Sequence, residues 1–154
     1  MTVNAISFHE VLMKARVHRP VGMLAGGTAA AYFSEPTFAN VLAGIAGGYA
    51  GAALPDIFEP ATSPFHRSLF HSWTFATGGA VATPTGVKKL KTYAEQRVMH
   101  YELRRAMDPA NGFWYVIAIL FWKYVVQFVI GLIAGYASHL ALDATTPMGL
   151  PFFR

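Results

Sequence analysis

The chain has 154 residues, 54% of them hydrophobic and only 13% charged, a length that fits one domain and a balance that favours an integral membrane protein over a water-soluble globule. Its net charge of +4 is read as membrane electrostatics, with Lys and Arg facing lipid headgroups, and no nucleic-acid partner is expected. With no cysteine, disulfides and thiolate metal sites are excluded, so any metal must be held by His, Asp or Glu.

From Ile6 to Val17 the apolar positions Ile6, Phe8, Val11, Leu12 and Ala15 share roughly one helical face. This predicts an interfacial amphipathic helix within an N-terminal segment 1–17. Val21 to Ser34 is an apolar run rich in Gly and Ala, broken by Glu35 and Pro36. Counted from His18 it is long enough for a first span. Behind its basic start it imitates a signal peptide, but twenty residues make a long leader, and the segment is expected to be retained. Phe38 to Leu54 forms a second run, ended by Pro55 and Asp56. Gly22 and Gly26, Gly44 and Gly48, and Gly47 and Gly51 repeat at four-residue spacing, which lets helix backbones approach closely where lipid supplies no hydrophobic drive.

Residues 57–67 read as a loop, and Ser68 to Thr83 as a third apolar run, stopped by Thr83, Pro84 and Gly86. A basic extramembrane segment is expected over 87–112, where Lys88, Lys89, Lys91, Arg97, Arg104 and Arg105 lie. Within it Leu90, Tyr93, Ala94, Val98 and Tyr101 recur at near-helical spacing, as in a helix lying on the membrane surface. Phe113 to Leu142 carries no turn signal and would be about 45 Å long as a helix, more than a ~30 Å hydrocarbon core. Lys123, between Trp122 and Tyr124, is read as an interface anchor that leaves Tyr124 to Leu142 as the span. The expected fold is therefore all-α: an integral membrane helical bundle of about four transmembrane helices plus interfacial amphipathic helices, forming a single domain over residues 1–154.

Span counting sorts the polar residues. If His18 begins the first span on one side, Asp56 returns to that side, His66 and His71 lie there before the third span, and His139 and Asp143 come back to it. His139 and Asp143 are four residues apart, hence on one helical face. In an apolar segment such a pair is expensive unless something binds it. Taken alone, it could equally be a packing histidine donating to its carboxylate. Nitrogen and carboxylate ligands together fit a divalent metal, with Zn as the default and Mn or Fe as alternatives. Four ligands suffice for one ion, whereas six could hold two ions in the arrangement used for hydrolysis. Glu59 is a candidate general base or further ligand. Arg67 and Arg19 are candidates to hold a phosphate, against the plainer reading that they reach to lipid headgroups.

Taken together, HRPVG at 18–22, LPD at 54–56, HRSLFHS at 66–72 and GYASHLALDATTPMG at 135–149 resemble the YdjM-like family of bacterial inner-membrane proteins, described as membrane-bound metal-dependent hydrolases. The resemblance implies a multi-pass protein of the bacterial inner (cytoplasmic) membrane. It also implies a metal-binding hydrolase site formed by His18, Asp56, His66, His71, His139 and Asp143. Two departures stand out. Phe58 occupies a position where the family often has a second acid, and Ser68 and Phe70 replace a glycine and a threonine. The expected function is a metal-dependent hydrolase acting near the bilayer surface on a phosphoester or lipid-linked substrate, with Glu59 and Arg67 as its catalytic residues. The alternative is a non-catalytic membrane protein with a structural metal or His/Asp network, a subunit of a larger membrane assembly. Membrane lipids are expected partners, and a homo-oligomer or membrane-complex partner is compatible with either class. The distribution of Lys and Arg leans toward a cytoplasmic 87–112 segment and a site facing outward.

Overall fold

Small residues spaced four apart decide how this chain packs. The computed structural model describes residues 8–59 and 72–145. They form α1 (Phe8–Phe33), α2 (Phe38–Phe58), α3 (Trp73–Met107), a short 3-10 turn (Pro109–Asn111) and α4 (Gly112–Ala144). No strand occurs among the described residues, so the all-α expectation holds. Among the described residues two segments, α2 and the stretch Pro109–Ala144 that contains α4, are long and apolar enough to cross a membrane.

The core is a three-helix unit of α1, α2 and α4, and α3 lies along α4. Gly22 and Gly26 of α1 meet Gly48 and Gly44 of α2, which makes this pair antiparallel. On the adjoining face of α2, Gly47 and Gly51 meet the α4 backbone around Phe128 and Leu132, and Gly131 and Gly135 of α4 sit against the same Gly44 and Gly48. The two series rise together, so α2 and α4 run parallel. A Cβ at Gly47 would fall 2.9 Å from the Leu132 nitrogen, closer than real side chains come. These contacts confirm that the four-residue glycine spacings predicted from sequence are seams of close backbone approach. The Gly131–Gly135 pair has the same spacing and completes the second seam.

Polar groups close the connections. Thr37 caps α2, its hydroxyl accepting from the Asn40 N–H at 3.3 Å, while the Asn40 side chain donates to the Glu35 carbonyl at 2.9 Å. Gln127 of α4 donates to the Ser34 hydroxyl at 3.1 Å, which ties the far end of α1 to α4. Asp108 accepts from the Asn111 side chain at 2.9 Å and from the Tyr115 hydroxyl at 3.1 Å, holding the turn between α3 and α4. Between those two helices Ala94 packs on Val126 and Ile130. Arg97 lies over the Tyr101 and Trp122 rings, and Lys123 pairs with Glu102 at 3.9 Å.

Three helix boundaries differ from the sequence expectation, each at a proline. The predicted stop at Thr83, Pro84 and Gly86 is absent, and the third apolar run continues into the basic residues as one helix of 35 residues, α3. A proline inside a helix removes one backbone hydrogen bond, a loss that neighbouring groups make good in tightly packed or membrane helices. For the same reason α2 passes through Pro55 to Phe58, where the Pro55 carbonyl accepts from the Glu59 N–H at 2.9 Å. Likewise α1 passes through Pro20, so residues 8–17 form the first turns of α1 and not a separate helix.

Candidate metal centre

The glycine rows lead directly to the site. On α1 the row Gly26, Gly22 reaches His18 one turn on, and on α2 the row Gly44, Gly48 continues to Ala52 and Asp56. On α4 the row Gly131, Gly135 continues to His139 and Asp143. Residues four apart lie above one another on a helix face, so the seams that bring the backbones together also set the polar residues at one level. Ala52 is the last small residue before they begin. A Cβ at Gly22 would run into its methyl group.

His18, His139 and Asp143 are buried, with 5%, 1% and 2% of their surfaces accessible. The His18 and His139 rings stack, with centroids 4.3 Å apart and planes inclined by 27°. Asp143 faces both: Oδ1 lies 3.5 Å from His18 Nε2 and Oδ2 lies 3.6 Å from His139 Nε2. Asp56 Oδ1 approaches the same His139 nitrogen at 3.7 Å, and its side chain is 48% exposed. It forms the open edge of an otherwise enclosed cluster.

The hydrogen bond on the far side of His139 fixes how this ring is used. Its Nδ1 lies 2.7 Å from the Ala52 carbonyl oxygen, and a carbonyl only accepts, so Nδ1 carries a proton and donates. In the neutral ring Nε2 then holds a lone pair directed toward the carboxylates of Asp143 and Asp56. A lone pair among carboxylate oxygens is repulsive unless a cation or a proton lies between them. A backbone carbonyl that orients a histidine through its second nitrogen is the usual support of a metal ligand.

The spacing is that of a buried ion-pair network and is also compatible with a shared ion. Good N–H···O bonds measure about 2.7–3.2 Å, whereas ligand atoms each ~2.0–2.2 Å from a tetrahedral ion stand about 3.3–3.6 Å apart. The separations of 3.5 and 3.6 Å fall in the second range, and 3.7 Å lies just beyond it. One ligand atom from each of His18, His139 and Asp143 lies within 4.8 Å of the others, a group that could hold a single small cation, with Asp56 available as a fourth oxygen.

Of the residues expected from sequence, His18, Asp56, His139 and Asp143 converge at one end of the bundle. Glu59 is half-buried at the C-cap of α2, one residue beyond Phe58, and is not among the three clustered ligands. His66, Arg67 and His71 lie outside the described residues. Arg19 turns away from the cluster, donating to the Tyr49 hydroxyl at 2.9 Å and lying over that ring. The Ala52 carbonyl was not foreseen. The signal available was its position, four residues beyond Gly48 and four before Asp56.

A family model described as YdjM inner membrane protein matches residues 13–154, a stretch that contains every residue of the cluster. No curated protein and no solved structure matches the chain.

Proposed function

The chain belongs to the YdjM inner membrane protein family, and from that premise we propose that it is a membrane-embedded, metal-dependent hydrolase acting on a phosphoester or lipid-linked substrate near the bilayer surface. In this reading α1 and α3 accompany α2 and α4 across the membrane as a four-span bundle, and the basic part of α3 emerges on the side opposite the site. One observation carries the proposal: His139, oriented by the Ala52 carbonyl, presents Nε2 to two carboxylates at distances suited to a shared cation.

His18, His139 and Asp143 would hold a divalent ion, with Asp56 closing the fourth position. Zinc is the default for this donor set, and manganese or iron are alternatives. Once bound, the ion supplies Lewis acidity toward a phosphoryl or acyl oxygen. The chain's own contribution is to enclose three ligands away from water and leave the approach beside Asp56 open. His66 and His71 are proposed to complete the ligand set, Arg67 to hold the substrate's negative charge, and Glu59, at the end of α2 beyond Asp56, to move a proton during hydrolysis.

The test is hydrolysis by purified protein of a panel of soluble and lipid-linked phosphoesters, alongside His139→Ala. Metal-dependent turnover of at least one substrate that the variant abolishes supports the proposal. Turnover unaffected by His139→Ala, or none on any substrate by fully metal-loaded protein, overturns it.

A further inference from the structure

A second feature of α1 and α2 lies on their outer face. An open groove of about 460 Å³ runs between the two helices, lined by Pro20, Leu24, Gly27 and Thr28 of α1 and by Val41 and Ile45 of α2. Its lining is almost wholly apolar, and Leu24, on its edge, is 73% exposed. Gly27 keeps it open: a Cβ there would lie 2.8 Å from Ile45 Cγ1. From Pro20 to Thr28 the wall rises about 12 Å at 1.5 Å per residue, close to the ~15 Å depth of one leaflet of a ~30 Å core.

Arg19 stands at the end of this groove nearest the bundle's polar end. Arg19 and Gly27 lie on one i, i+4 row of α1, and Val41, Ile45 and Tyr49 on one row of α2. The Arg19–Tyr49 contact therefore bridges the two walls. A guanidinium carries five donors, of which Tyr49 takes one at 2.9 Å. A cation at the lipid-facing edge of a membrane protein is costly without an anion. Lipid tails are as apolar as the lining, so hydrophobic drive does not select what fills the groove. The charge at its end does.

We propose that the α1–α2 groove is a binding site for an anionic phospholipid. One acyl chain lies between Leu24 and Ile45, and the headgroup phosphate accepts charge-assisted hydrogen bonds from Arg19. The site is separate from the metal centre, because His18 turns toward α4 while Arg19, its neighbour, turns to Tyr49. It stands whether or not the cluster hydrolyses anything.

The experiment is native mass spectrometry of the full chain in detergent, given equal amounts of phosphatidylglycerol and phosphatidylcholine with identical chains. The expected result is about a tenfold preference for phosphatidylglycerol, reduced to parity in Arg19→Gln and retained in Arg19→Lys. In Leu24→Trp, which fills the groove, both lipids bind several-fold less. Equal retention of the two lipids by the unmodified chain overturns the proposal, as does an unchanged preference in Arg19→Gln with native helical content. A dimer that Leu24→Trp dissociates, seen in place of bound lipid, assigns the groove to a second copy and overturns it as well.

Discussion

Replacing Gly22 by valine tests whether the glycine seam sets the geometry of the candidate metal centre. A Cβ at Gly22 would lie 2.6 Å from the Gly48 carbonyl oxygen, and real Cβ atoms essentially never come within 3.0 Å. The two backbones must therefore part by at least about 0.4 Å, and further to clear the Ala52 methyl group and seat the valine branches. Ala52 moves with α2, and its carbonyl accepts from His139 Nδ1 at 2.7 Å. An added half ångström or so brings that bond to the ~3.2 Å limit of good geometry. Overpacking of this kind costs about 1–3 kcal/mol. Loss of a supporting hydrogen bond to a metal-ligating histidine lowers metal affinity about 10- to 100-fold. The assay is competition with a calibrated chelator, read beside thermal unfolding of the same sample. Gly86→Ala serves as the control, since its Cβ meets nothing within 4 Å. The control should leave metal affinity unchanged and, as an Ala in place of Gly inside a helix, gain up to about 1 kcal/mol in stability. If Gly22→Val folds with native helical content and keeps its affinity within twofold, the link from seam to site is wrong.

The other predictions concern single polar groups. Asp143→Asn removes the carboxylate shared by both buried histidines and should weaken metal retention by more than the ~100-fold expected of a supporting residue, read by the same chelator competition. If Glu59 moves a proton in the proposed hydrolysis, Glu59→Gln should lower turnover by about 100-fold or more while the metal content stays unchanged. Parallel loss of metal would instead make Glu59 a ligand. At the α3–α4 turn, the Asn111 side chain holds the Asp108 carboxyl below its ordinary value. Because the folded value is depressed, the stabilisation is present above the unfolded value of about 3.9 and fades as pH falls through the folded one. The protection of the amides at 110–112 against exchange, relative to the intrinsic rate, should fall below about pH 4, and Asp108→Asn should show no such dependence.

Much of the site was legible because the chain writes its packing and its chemistry in the same i, i+4 rows. Gly22, Gly44 and Gly48 marked the seams, and span counting placed His18, Asp56, His139 and Asp143 at one end, where they lie. Sequence did not show that Asp143 stands between the two histidines or that the Ala52 carbonyl orients His139, since a backbone contact between helices leaves no residue-type signature. The helix boundaries failed at Pro55 and Pro84. There local propensity argued for a stop; at Pro55, which is fully buried, packing carried the chain through, whereas at the exposed Pro84 nothing in the structure explains the continuation. Arg19, a candidate to hold a phosphate, shows the same limit at a side chain: one residue on from His18 a helix turns by about 100°, and Arg19 goes to Tyr49.

The proposed function requires that the His18, His139 and Asp143 cluster hold a metal ion. The most direct measurement is elemental analysis of protein purified without chelator and then offered zinc, manganese or iron, alongside His139→Ala. One or two equivalents of a divalent metal, lost in the variant while its helical content persists, is the predicted result. Folded protein that takes up no stoichiometric metal, or a variant that binds as much as the unmodified chain, would contradict it.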